Sequence, residues 1–114
     1  MNLLTDELKQ RLPALYSSER DNDPIVWAKF FTPWARWTWY AIEFDGTDLF
    51  FGLADGFERE LGYFSLKELE SVRGPAGLRV ERDLYFQPVK LSVLNERLTS
   101  AEASPRLPDR SRQR

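Results

Sequence analysis

The stretch that decides the fold runs from Trp37 to Ala54: Trp37-Thr38-Trp39-Tyr40-Ala41-Ile42-Glu43-Phe44, then Asp45-Gly46-Thr47-Asp48, then Leu49-Phe50-Phe51-Gly52-Leu53-Ala54. The outer segments are rich in β-branched and aromatic residues, which suit a pleated, half-buried surface. Between them, Asp45-Gly46 is hairpin-turn chemistry, because glycine accepts the left-handed backbone that a tight turn needs. The spacing predicts two antiparallel strands, Trp37–Phe44 and Leu49–Ala54. A second turn signal, Asp55-Gly56, leads into a further strand over Glu58–Phe64. Strands joined this closely form an antiparallel meander. Upstream, Ile25–Phe31 reads as another strand, separated by a loop around Pro33.

The period then changes. Ser65 and Glu68 form a capping box, Leu66, Leu69 and Val72 share a helical face, and Gly74-Pro75 stops the helix. Near the start, Leu4, Leu8, Leu12 and Leu15 recur at helical spacing behind Thr5, a candidate N-cap. A helix is therefore expected over 3–16, ended or tightened by Pro13. Val80–Gln87 reads as a fifth strand, with Glu81-Arg82-Asp83 as an exposed face or a small network in which Arg82 forks onto a carboxylate. Leu91, Leu94 and Leu98 suggest a short final helix. The expected fold class is α+β: an antiparallel meander of about four or five strands against an N-terminal helix and a short helix at 65–73. One domain over 1–99 and a disordered basic tail over 100–114 are expected.

Composition closes off much chemistry. The 114 residues contain no histidine and no cysteine. Ser-His-Asp and Cys-His apparatus, thiolate metal sites and disulfides are excluded, and any acid–base work falls to Asp, Glu, Lys or Tyr. No apolar run approaches a membrane span, and the start lacks the pattern of a secretory signal, so a cytoplasmic location is expected. The net charge is -2, divided into -4 over residues 1–94 and +2 over 95–114. An acidic body is a poor footprint for duplex nucleic acid.

Several segments together carry a family resemblance. They are Lys29-Phe30-Phe31-Thr32-Pro33-Trp34, Trp37-Thr38-Trp39-Tyr40, Glu43-Phe44-Asp45-Gly46, Phe50-Phe51-Gly52-Leu53, Glu60-Leu61-Gly62-Tyr63-Phe64-Ser65-Leu66, Glu68-Leu69-Glu70, Arg73-Gly74-Pro75 and Glu81-Arg82-Asp83. Over roughly residues 3–95 the chain resembles the bacterial family called domain of unknown function 2958. That resemblance implies a small, single-domain cytoplasmic protein, often encoded on plasmids and integrated mobile elements. It carries over no established activity and supplies no catalytic residues.

The most informative cluster is aromatic. Trp27, Phe30, Phe31, Trp34, Trp37, Trp39 and Tyr40 fall within fourteen residues. Three readings fit. The rings fill the core. Or Phe31, Trp34, Arg36, Trp37 and Trp39 form a partner-binding surface, since Trp and Arg are common hot-spot residues. Or the rings stack single-stranded nucleic acid, with Lys29 and Arg36 on phosphates. Trp34, Arg36 and Trp37 bracket a loop and are expected at the surface. Glu43, Asp45, Glu58 and Glu60 would support an oxygen-ligated metal-dependent hydrolase only if at least two of them converged. The leading expectation is a non-enzymatic interaction module acting on a protein partner, with no metal or cofactor assigned. Single-stranded nucleic-acid binding is the alternative.

Overall fold

In the computed structural model, residues 2–103 are described. The expected meander is the centre of the molecule. Strands β2 (Ala28–Phe31), β3 (Thr38–Phe44), β4 (Leu49–Asp55), β5 (Arg59–Ser65) and β6 (Glu81–Arg82) form one open antiparallel sheet in the order β5-β4-β3-β2-β6. A separate two-stranded pair joins β1 (Ile25–Val26) to β7 (Val89–Lys90). Helices α1 (Asp6–Arg11), α2 (Leu66–Ser71) and α3 (Leu91–Ala103) complete the α+β fold. None of these helices is long and apolar enough to cross a membrane.

The β3–β4 turn is built by one carboxylate. Asp45 Oδ1 accepts the N–H groups of Thr47, Asp48 and Leu49 at 2.8, 2.8 and 3.0 Å. Gly46 takes a φ of 90°, which the sequence supplies at no steric cost. Asp48 then positions α2. Its Oδ2 accepts from Ser65 Oγ at 2.7 Å and its Oδ1 from the Lys67 N–H at 2.7 Å. Ser65 still caps α2 by accepting the Glu68 N–H at 3.2 Å. Asp48 thus orders the helix start from the neighbouring turn.

Two cores result. On one sheet face, Phe30, Phe44, Phe50, Ala28 and Ala41 pack with Leu3, Leu12, Leu69 and Val80. Ring centroids of Phe44 and Phe50 lie 4.5 Å apart, and those of Phe30 and Phe50 lie 5.5 Å apart. On the other face, Val26, Tyr40, Ile42 and Leu53 pack against Leu94 of α3. Each fully buried phenylalanine is worth about 1.5–3 kcal/mol over exposure. A bulge separates the faces on β3. The ladder slips between Ala41, opposite Gly52, and Glu43, opposite Phe51. Ile42 is the extra residue, so Glu43 lies over the second face instead of entering the Phe44–Phe50 core.

Four segments differ from the sequence reading. The strand expected over 25–31 breaks at Trp27, because Val26 serves the second core while Ala28 and Phe30 serve the first. Residues of equal parity on opposite faces require a twist between them. The strand expected over 80–87 is only Glu81–Arg82. Asp83 folds the chain back, its Oδ1 accepting the Tyr85 N–H at 2.9 Å, and carries it from Val80 in one core to Phe86 in the other. Arg82 does not fork onto a carboxylate; its Nη1 donates to the carbonyls of Asn2 and Leu3 at 2.6 Å each. The first helix is shorter than 3–16. Thr5 caps it, but Leu12 is already extended and Pro13 cannot donate onward. The last helix is longer than expected: it packs Leu94 and Leu98 against the second core and runs on through residues 100–103. The tail from residue 104 lies outside the described residues.

Candidate functional site

The aromatic cluster divides among four environments. Phe30 and Tyr40 are core, and Trp27 packs partly buried beside the first core. Burial pushes the Tyr40 phenol up to about 12, with Asp55 adding to the rise. Phe31 lines a shallow cleft with Lys29, Leu84 and Tyr85 on the β2–β6 side. Trp34 is half-buried against Gly74, where a Cβ would fall 2.3 Å from the indole. Trp37 and Trp39, two residues apart on one strand face, stack with centroids 6.0 Å apart and planes 22° from parallel. Trp39 lies against the first core, while Trp37 is 37% exposed.

A residue absent from the sequence-derived set completes the Trp37 site. Phe57, at the tip of the β4–β5 turn, is 96% exposed and meets the Trp37 ring edge-on at 5.6 Å. Gly56 beside it has no room for a side chain, since a Cβ there would sit 2.1 Å from Trp37 Cζ3. The signal was available: a large apolar residue directly after Asp-Gly sits where a tight turn leaves nothing to bury it. The rings open onto a cleft of about 730 Å³ at the end of the sheet, bounded by the last turn of α3.

Charge in that cleft is mixed. Arg36 and Arg59 line it with Asp55, Glu58 and Glu102. Arg59 is paired with Glu102, whereas no carboxylate among the described residues pairs with Arg36. Of the residues expected to bind together, Arg36 and Trp37 line this cleft and Trp39 backs Trp37 without lining it, whereas Phe31 and Trp34 do not line it. Lys29 and Arg36 line different clefts, which share Ala35, and Lys29 faces Asp83 at 3.7 Å in the Phe31 cleft.

The four candidate metal carboxylates do not converge. Glu43 is 3% exposed and accepts from the Tyr16 N–H at 2.8 Å, the Ser18 N–H at 3.0 Å and the Ser18 hydroxyl. Asp45 is occupied by its turn, and those N–H groups hold its carboxyl below the usual range. Glu58 lines the Trp37 cleft. Glu60 pairs in register with Ala54, on the sheet face opposite Glu43. Among the described residues, no group of three or more acidic side chains could hold a metal ion.

Sequence reasoning also missed Tyr16, Leu61 and Tyr63, which form a second exposed apolar surface beside β5. Leu61 and Tyr63 alternate with Glu60 and Gly62 and gave a fair period-two signal. Tyr16 gave none, because it depends on a φ of 69° that its residue type disfavours.

No curated protein matches the chain, and no solved structure matches it. A family model does match, over residues 3–104. The chain belongs to the family described as "Protein of unknown function (DUF2958)".

Proposed function

We propose that this protein is a binding module that docks a protein partner through the Trp37–Phe57 cleft. One observation carries the reading: a phenylalanine ring left 96% exposed, braced edge-on against a tryptophan that is itself stacked on a second tryptophan. Burying such a ring is worth about 1.5–3 kcal/mol. The free protein forgoes that gain, and a docked partner recovers it. Trp37 is already stacked on Trp39 in the free protein, which lowers the side-chain freedom that ring gives up on binding. Arg36 at the rim offers hydrogen bonds, and indole, phenyl and guanidinium groups are typical interface anchors.

The surrounding charge supports a protein over single-stranded nucleic acid. Three carboxylates face two guanidiniums, one of them already paired. A stacking platform for nucleic acid needs a positive groove along the backbone. The wider role we attach, an accessory protein of a mobile element, rests on the family resemblance.

The test uses the native chain and a Phe57→Ser variant as bait in the native host's lysate, with a single-stranded oligo-dT titration in parallel. A protein retained by the native chain and lost with Phe57→Ser, at unchanged melting temperature, supports the reading. Identical retention by both refutes it. So does oligo-dT binding with a log-log salt slope of about -0.7 per phosphate neutralised.

A further inference from the structure

The second exposed aromatic surface lies at the other end of α3, beside Leu91, away from the Trp37 cleft at Glu102. Tyr16 and Tyr63 meet edge to face with centroids 6.4 Å apart, and Phe51 packs 5.2 Å from Tyr63. Both tyrosines are more than half exposed, at 61% and 52%. With Leu61 they border a groove of about 310 Å³. Its lining includes the carboxylates of Glu19, Asp21 and Glu43, and no lysine or arginine. Hydrogen bonding with Tyr16, desolvation and the nearby Glu43 and Glu19 all hold the Tyr63 phenol above the usual tyrosine range. The electrostatic character is that of a site for a cation: ring faces to lie against it and negative charge around it.

The groove also adjoins an open sheet edge. β5 is the terminal strand of the five-stranded order, seven residues long, and its outer side has no strand partner among the described residues. Side chains of an added strand would alternate across the sheet. Every second one would fall on the face of Leu61 and Tyr63, about 4.5–5.5 Å from them.

We propose that β5 and this groove take an extended basic segment of a partner protein as a sixth strand, with arginines at alternate positions. Main-chain bonds to the β5 edge supply general affinity. The guanidinium groups stack on Tyr16 and Tyr63 and face Glu19 and Asp21, which supplies selectivity. Glu43 is held by the Tyr16–Ser18 loop, so it contributes charge and keeps Tyr16 in place. This surface stands apart from the Trp37 cleft, and either reading can fail without the other.

The test is anisotropy of a fluorescein-labelled heptapeptide alternating Arg and Ser, titrated with the full chain. A control peptide carries Glu in place of Arg. The proposal expects about tenfold tighter binding of the Arg peptide. It also expects a loss of about fivefold or more in a Glu19→Gln/Asp21→Asn variant of unchanged melting temperature. Amide exchange of residues 60–64 should slow when the peptide binds. Equal affinity for the two peptides overturns it, as does binding unaffected by the double substitution or protection elsewhere. If the peptide binds only after Arg110, Arg112 and Arg114 are replaced by serine, the chain's own segment competes for the groove, and the partner reading is overturned.

Discussion

Replacing Glu43 by glutamine keeps the side chain's volume and removes its charge. In the native fold this carboxylate is buried, accepts the Tyr16 N–H on Oε1, and accepts the Ser18 N–H and hydroxyl on Oε2. An amide offers one oxygen and one NH2 group in the same space. The oxygen can serve one end of the loop, and the NH2 then confronts a backbone N–H. One charge-assisted bond is lost and another is weakened. Bonds to charged groups are worth about 1.5–3 kcal/mol each, reduced here because the loop is exposed and water can reach the freed N–H. We expect a net loss of about 2–3 kcal/mol. For a domain of this size that lowers the melting temperature by about 10–20 °C. Thermal denaturation followed by far-UV circular dichroism reads it. Ser18→Ala alone removes only the hydroxyl bond and should cost about 1 kcal/mol, and the pair should be less than additive because both act on one oxygen. A Glu43→Gln protein melting within about 3 °C of native would refute the claim that this carboxylate anchors the 16–18 loop.

Other consequences follow from the same geometry. Gly56→Ala drives a methyl into the Trp37 indole; because that ring is partly exposed and can swing away, we expect a loss of only about 1–2 kcal/mol but a red-shifted tryptophan emission as the stack on Trp39 opens. An unchanged spectrum would contradict the contact. Tyr40 has a folded pKa of about 12 against an ordinary 10.0, so its contribution is intact below about pH 10 and is lost as pH rises through 12. Tyr40→Phe should flatten alkaline unfolding in that window, by about 1–2 kcal/mol after allowance for solvent screening. Equal alkaline limbs for the two proteins would contradict it. Asp23, Asp45 and Asp48 are held below the ordinary carboxylate value of 3.8 by hydrogen bonds from Ser92, from the 47–49 turn and from Ser65 with Lys67. Their contribution is present above that value and lost as pH falls through the folded values. Acid titration of Asp48→Asn should begin from lower stability and fall less steeply than native; parallel curves would show that Asp48 does not order the start of α2.

The meander was legible because its signals are local. Asp45-Gly46, Asp55-Gly56 and alternating aromatics specify turns and faces within a few residues. The capped start of α2 was legible for the same reason, although Asp48, seventeen residues upstream, supplies the second arm. What was not legible depends on distant partners. The break at Trp27 exists because β1 pairs with β7, some sixty residues away. The helical stripe of Leu4, Leu8, Leu12 and Leu15 outruns the helix because Pro13 and Glu43 recruit the following residues into a loop. For the candidate site, composition located the ring-rich segment, and Trp37, Trp39 and Arg36 do come together. The separation of Phe31, Trp34 and Lys29 follows from neighbours on Gly74, Leu84 and Asp83, which no pattern within 25–40 reveals.

The docking role of the Trp37–Phe57 cleft is tested most directly by placing a photo-crosslinking phenylalanine analogue at position 57 of the full chain, with the same analogue at exposed Lys67 as the control. Irradiation in the native host should give a discrete protein adduct from position 57, absent from position 67 and abolished by Trp37→Ser. No adduct, the same adducts from both positions, or an adduct to nucleic acid would contradict the account.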